Sequence, residues 1–188
     1  MKSSIEAYLK KNMSSKRFEH SISTARTAEI LCRIYGMNEE MGYIAGLVHD
    51  IGREMKLGKM VSLARKEFEV EAWELENPKL LHGKAGAVLI RKEFRIREEE
   101  ILNAVAFHTL GHPLMMDLGK VIYISDYVEP RRKYFSQNLY DAVFSMNLKD
   151  AIFTVLYKKL RYLEKKGRKP APPTLELYNK IQTERCLN

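Results

Sequence analysis

The sequence predicts an all-α fold, and three observations predict it. Apolar residues recur at helical spacing in nearly every segment, no long stretch alternates as a strand would, and cap and stop residues punctuate the candidate helices. Ser3-Ser4-Ile5-Glu6 has the form of a capping box, and a short helix follows to about Met13. Ser14-Ser15 can open a second helix, whose apolar positions include Phe18, Ile22, Ala25, Ala28, Leu31 and Cys32 and which Gly36 closes. Asn38 with Glu39 and Glu40 reads as a cap and an acidic first turn, suited to the positive end of a helix dipole. That third helix carries Ile44, Leu47, Val48 and Ile51 and is expected to end near Gly52.

From Leu57 to Asn77 the signals weaken, although Leu63, Phe68, Val70 and Trp73 imply one or two short packed helices before Pro78 resets the chain. Further helices are expected at about 82–94, 98–109, 117–128, 138–146 and 148–166, the last ended by Gly167. Pro170, Pro172 and Pro173 form a stiff turn, and Thr174 caps a final helix to about Cys186. No internal repeat or low-complexity stretch interrupts this pattern. One domain over residues 1–188 is expected, with a core at about 15–130 and C-terminal helices at about 138–186 packed on it.

The 188 residues are 45% hydrophobic, too apolar for a disordered chain. No segment approaches the roughly 20 unbroken apolar residues of a membrane span. The opening residues reach Glu6 before any apolar run, unlike a secretory signal. Cys32 and Cys186 stand far apart and suit a reducing compartment, so a cytoplasmic location is expected. A net charge of +8 favours anionic partners without choosing among them. Residues 157–166 are basic with interleaved aromatics, but apolar spacing at 156, 160 and 163 makes this a core stripe with a solvated basic face. A nucleic-acid partner is therefore not expected.

The histidines carry the chemical signal. His49-Asp50 is an adjacent pair near the end of an apolar helix. Neighbours on a helix point about 100° apart, so both side chains can converge only on one object at their shared edge, a demand that a metal ion meets. His20 lies on the preceding helix, 29 residues upstream. Asp126 ends the apolar run Val121-Ile122-Tyr123-Ile124-Ser125-Asp126, where a carboxylate is costly unless paired or bound to a cation. His82 opens a helix and His108 ends another, each beside small residues that let something approach closely. Any one of these side chains has an ordinary explanation as a satisfied core residue, a helix cap or an arginine partner. Six of them on successive helices in one order are harder to explain that way. His112 stands outside the pattern as a surface or supporting residue.

The ordered set His…His-Asp…His…His…Asp resembles the HD-domain phosphohydrolase superfamily. Arg17-Phe18-Glu19-His20-Ser21, Ala45-Gly46-Leu47-Val48-His49-Asp50-Ile51, Leu81-His82-Gly83, His108-Thr109-Leu110-Gly111 and Ser125-Asp126-Tyr127-Val128-Glu129-Pro130 narrow the likeness to its YqeK family. The resemblance runs from about residue 15 to about 180. It departs at Arg53, usually lysine, at Ser125, usually alanine, at Gly119, usually aspartate, and at Arg131, usually glycine.

The resemblance implies an HD-domain helical bundle and a symmetrically cleaving diadenosine tetraphosphate hydrolase. It implies one ion, iron in the family, on His20, His49, Asp50 and Asp126; His/Asp ligation alone would equally admit manganese, zinc, nickel or cobalt. His82 and His108 have two roles open to them. They can hold a second ion with Asp50 bridging, or contact a phosphate and protonate the leaving group. Asp50, His82 and His108 are thus the expected catalytic set. Arg17, one turn before His20, and Arg132 can meet phosphate. Tyr127 can stack on the nucleoside or simply pack in the core. The loop from Lys169 through Pro173 to Thr174 resembles the nucleotide side of the site. The expected partners are a dinucleoside polyphosphate substrate and ADP product, with a homodimer as an option and no membrane. The competing functions are another HD-type nucleotidase or guanosine alarmone hydrolase, a basic RNA-binding module with a vestigial metal site, and a metal-stabilised structural domain.

Overall fold

In a computed structural model, which describes residues 2–186, helices α2 (Ser15–Ile34) and α3 (Glu39–Val48) form the antiparallel pair on which the other elements are laid. Asn38 caps α3 by accepting the Met41 N–H at 3.0 Å, and Gly36 turns the chain with φ of +67°. The pair packs closely because Gly46 faces the α2 backbone, where a Cβ would stand 2.7 Å from the Ala25 Cα. Helix α1 (Lys2–Asn12) lies across them, with Ile5 and Leu9 fully buried. Ser3 and Glu6 do not form the expected capping box, since α1 already starts at Lys2; the Glu6 carboxylate instead accepts the Tyr43 hydroxyl at 2.9 Å.

Helix α3 stops at Val48, short of the expected Gly52. Its continuation tightens into turns in which Ile51 N–H bonds Val48 O and Arg53 N–H bonds Asp50 O, each spanning three residues. His49 and Asp50 sit in this tightened stretch. Two short helices, α4 (Leu57–Ala64) and α5 (Ala72–Glu76), then precede a 3₁₀ turn at Pro78–Leu81. Met60, Leu63, Leu81 and Val88 form a small satellite core beneath them.

Helices α6 (His82–Phe94) and α7 (Glu99–Phe107) cross at Gly83, where a Cβ would lie 2.6 Å from the Ala106 carbonyl and 2.8 Å from that of Val105. The small residue beside His82 therefore admits the backbone of α7. Helix α8 (Asp117–Val128) runs through the middle, with Val121, Ile122, Tyr123 and Ile124 almost wholly buried. Helices α9 (Gln137–Phe144), α10 (Leu148–Lys165) and α11 (Pro172–Cys186) complete the chain. The apolar stripe of α10, Ala151, Ile152, Val155 and Leu156, joins the same core as α2, α3, α7 and α8. Helix α11 begins at Pro172, two residues before the expected cap, a position that proline tolerates because its missing N–H would be unsatisfied anyway. Thr174 lies inside that helix, and its hydroxyl donates to the Leu110 carbonyl at 2.7 Å. Among the described residues there is no strand, and no helix is long and apolar enough to cross a membrane.

Candidate metal centre

The tightened end of α3, the start of α6, the end of α7 and the last turn of α8 meet opposite the second turn of α2. This meeting brings His20, His49, Asp50, His82, His108 and Asp126 together. Five of the six are buried, and the Asp126 side chain keeps 15% of its surface exposed.

Each imidazole is oriented from behind. His49 Nδ1 lies 2.6 Å from Gly46 O, His82 Nδ1 2.7 Å from Lys79 O, and His108 Nδ1 2.8 Å from Val105 O. A carbonyl can only accept, so each Nδ1 carries the proton and each Nε2 presents a lone pair. His20 follows the same logic, with Nδ1 donating to Glu129 Oε1 at 2.9 Å.

The four lone pairs face one another. His20 Nε2 and His49 Nε2 are 3.2 Å apart, and His82 Nε2 and His108 Nε2 are 3.0 Å apart. Asp50 lies between the two pairs. Its Oδ2 is 3.7 and 3.6 Å from His20 and His49, and its Oδ1 is 3.1 and 3.6 Å from His82 and His108. Asp126 Oδ1 completes the first group at 3.0 Å from His20 and 3.4 Å from His49. Opposed nitrogen lone pairs repel unless a cation lies between them. Ligands about 2.0–2.2 Å from a shared ion stand about 3.0–3.5 Å apart, which matches this spacing. The donor set therefore fits a divalent first-row ion in each of the groups His20–His49–Asp50 and Asp50–His82–His108.

Electrostatics agree. Burial would raise the Asp50 carboxyl, but His49, His82 and His108 outweigh it and hold the pKa well below the usual carboxylate range. For Asp126 the same burial is overcome by Arg132, His20 and His49. Burial pushes His82 and His108 down, against Asp50, and so keeps both rings neutral and able to ligate. His20 is raised, because Asp126 and Glu129 outweigh its burial.

Cationic side chains ring the centre. Arg17 Nη1 donates to Asp50 Oδ2 at 2.6 Å, and Arg132 pairs with Asp126 through its Nη2 while its Nε donates to the Asp126 carbonyl at 2.7 Å. Tyr127 is half-buried against Tyr134, with ring centroids 5.5 Å apart. Pro173 lines a cavity of about 320 Å³ that also takes in Thr109, whose hydroxyl is 3.1 Å from His82 Nε2. Thr174 is spent on tethering α11 to Leu110, and Lys169 is exposed in the loop between α10 and α11.

Three further residues at the centre carry no role in the sequence reading, where Glu129 and Thr109 stand only inside motifs and Arg53 only as a departure from the family pattern. Glu129 orients His20, Thr109 touches His82 and His108, and Arg53 Nη1 lies 3.1 and 3.4 Å from the two ring nitrogens of His82. The signal for Glu129 was its position three residues after Asp126, on the same side of that stretch. His112 stacks on Phe107 with ring centroids 4.3 Å apart, away from the six.

The HD-domain family profile matches residues 17–131, which span every one of these six side chains. The chain belongs to the HD-domain family. Two relatives of this HD-domain protein, from Halalkalibacterium halodurans and Bacillus subtilis, are each 30% identical to it. The first alignment covers 94% of both chains; the second covers 92% of this chain and 93% of the relative. Both are named symmetrical bis(5′-nucleosyl)-tetraphosphatases, which bears out the narrower resemblance drawn from the motifs. A crystal structure of an HD-superfamily hydrolase from Clostridium acetobutylicum, described as involved in NAD metabolism, superposes with a TM-score of 0.90. It is 33% identical, and 98% of each chain is covered.

Proposed function

We propose that this HD-domain protein is a metal-dependent phosphoanhydride hydrolase that cleaves diadenosine tetraphosphate symmetrically into two ADP molecules. The observation that carries the reading is the opposed Nε2 pairs on either side of Asp50, an arrangement suited to cations and poorly suited to a plain core. The activity of the two relatives aligned along nearly the whole chain supports the substrate.

His20, His49, Asp50 and Asp126 would hold one ion, for which we propose iron, and Asp50 Oδ1 with His82 and His108 would hold a second. When bound, such ions acidify a water and act as Lewis acids on phosphoryl oxygens. In the reaction, the oxygen of one water bonds to an inner phosphorus, the central bridging P–O bond breaks, and the departing ADP oxygen takes up a proton. Arg17 and Arg132 stand beside the two aspartates, placed to neutralise the phosphate chain, and Arg132 has the planar fork that suits it. Tyr127, Lys169, Pro173 and Thr174 belong to the nucleotide side, Thr174 through its tether to Leu110. The alternative for His82 and His108, direct phosphate contact and leaving-group protonation, would need a proton on their Nε2 atoms, whereas the Thr109 hydroxyl 3.1 and 3.3 Å away meets both as acceptors.

The cytoplasm is the compartment that suits this substrate and the buried, unpaired Cys32. The deciding experiment joins metal analysis of freshly purified protein to product identification. Two ions per chain support the bridged centre and one supports phosphate contact by His82 and His108. ADP as sole product is expected; ATP with AMP would overturn symmetric cleavage, and turnover of nucleoside monophosphates alone would overturn the substrate.

A further inference from the structure

Lys159, on α10, differs from the other confined cations of this fold. Arg17, Lys84, Lys120 and Arg132 are also only partly exposed, and each holds a carboxylate, from Asp50, Glu74, Asp117 and Asp126 respectively. Lys159 holds none. Among the described residues its ammonium makes no ion pair or hydrogen bond, and it rests 3.7 Å from the centroid of the Tyr123 ring. A confined cation without a counter-charge is costly, and a ring face offsets only part of that cost. The side chain is nonetheless not sealed from solvent.

Its surroundings indicate what the charge is placed for. Tyr123 lies one helical turn before Asp126, on the same side of α8. An edge of its ring faces the stretch that follows His108, since a Cβ on Gly111 would stand 3.6 Å from Tyr123 Cε2. Lys159 thus sits beside two segments that carry members of the metal centre. The Asp126 charge favours its ammonium and the Arg132 charge opposes it, but that carboxylate is already engaged by Arg132, His20 and His49. Cations in the centre would take up more of it. Burial lowers the Lys159 pKa to about 8, which still leaves it charged at pH 7. An anion arriving from outside the protein would complete this arrangement.

We propose that Lys159 is a phosphate-binding residue of the substrate site, a further cation that meets the phosphate chain on the Asp126 side together with Arg132. The assignment rests on the tetraphosphate reading above and adds to it a residue from α10, a helix that otherwise supplies none to the site. Stability is given up at this position for binding, as it commonly is where a functional charge is confined.

Calorimetric titration of the metal-loaded protein with ADP tests the assignment. Lys159→Met is expected to weaken ADP by about tenfold, the loss of one charge-assisted hydrogen bond, while adenosine, which lacks phosphate, binds as it does to the wild type. With diadenosine tetraphosphate the variant should show KM raised by a similar factor and kcat nearly unchanged. Lys159→Arg, which keeps the charge in a different shape, should lose less. Unaltered ADP affinity in Lys159→Met, or equal weakening of ADP and adenosine, would overturn the assignment; so would a fall in metal content, which would place the lysine's effect in the centre itself. The tetraphosphate reading fails separately. If the wild type does not cleave the tetraphosphate but its ADP affinity depends on Lys159, the phosphate site stands and the proposed reaction falls. Cleavage by the wild type with unchanged kinetics in Lys159→Met would keep the reaction and remove the site.

Discussion

Glu129 shows how a residue that need touch neither metal nor substrate can decide whether the centre works. It is buried, it fixes the His20 tautomer through Nδ1, and its own carboxyl is held below its ordinary pKa: burial would raise it, but the His20 hydrogen bond leads a group of interactions that outweigh it. Glu129→Gln is expected to keep the helical circular dichroism and lower metal affinity by about 10- to 100-fold, as loss of a supporting carboxylate does elsewhere; a metal titration followed by elemental analysis checks it. The histidines also set an acid limit on the metal-free protein. His82 and His108 have depressed folded-state pKa values, so the unfolded chain binds more protons than the folded one just below its own pKa of about 6.5. Their contribution to stability is present above that pH and is lost as pH falls through the folded values. His20 has the opposite sign, its contribution being present below about pH 6.5 and lost as pH rises through its raised folded pKa. Asp50 and Asp126 add a loss at still lower pH, as pH falls from the unfolded value of about 3.9 through their depressed folded ones. With His82, His108 and the partly buried His112 all depressed against His20 alone, thermal melts of the chelated protein should show a lower midpoint at pH 5.5 than at pH 7.5.

Glycines at helix crossings set the distances between these side chains. Gly83 lets the first turn of α6 press against the last turn of α7, and the Val105 carbonyl that faces it is the same group that orients His108. Gly83→Ala is expected to cost about 1–3 kcal/mol in chemical denaturation and to lower metal occupancy, because overpacking moves the two imidazoles apart. Gly58→Ala, in α4 with nothing within 4 Å of its Cβ, should be neutral or stabilising by a few tenths of a kcal/mol. The contrast separates close packing from a general intolerance of substitution. This is also where the sequence ceased to be legible. Helical periodicity and caps such as Asn38 are local and placed most helices, and the order of His20, His49, Asp50, His82, His108 and Asp126 announced the centre. What Gly83 does depends on α7, to which no local pattern refers, and Thr109 and Arg53 reach His82 only through the fold. The end of α3 was misjudged for the same reason. Ile51 and Gly52 continue the helical pattern, but a Cβ on Gly52 would stand 2.4 Å from the His82 carbonyl, so contact with α6 governs the backbone there.

The C-terminal helices do more than cover the core, and Lys159 shows the connection. It reaches from α10 to α8 and places its ammonium 3.7 Å from the ring centroid of the buried Tyr123, on the same helix as Asp126. Burial pushes its pKa down to about 8, with the Asp126 charge opposing, so the folded protein holds this cation less readily than water does. The ring face offsets part of that cost. At pH 7 both folded and unfolded chains carry the proton, and the full cost of confining the charge is present. As pH rises from about 8 towards the unfolded value of about 10.4, the folded chain releases its proton first and the cost fades. Lys159→Met keeps a long, flexible apolar stem and removes the charge. It is expected to raise the melting temperature of the metal-free protein at pH 7 by a few degrees, roughly 1–2 kcal/mol. The gap from the wild type should narrow at pH 9.5. A variant less stable than wild type at pH 7 would mean that attraction to Tyr123 and Asp126 exceeds the burial cost, making this lysine a net clamp between the C-terminal helices and the helix that carries Asp126.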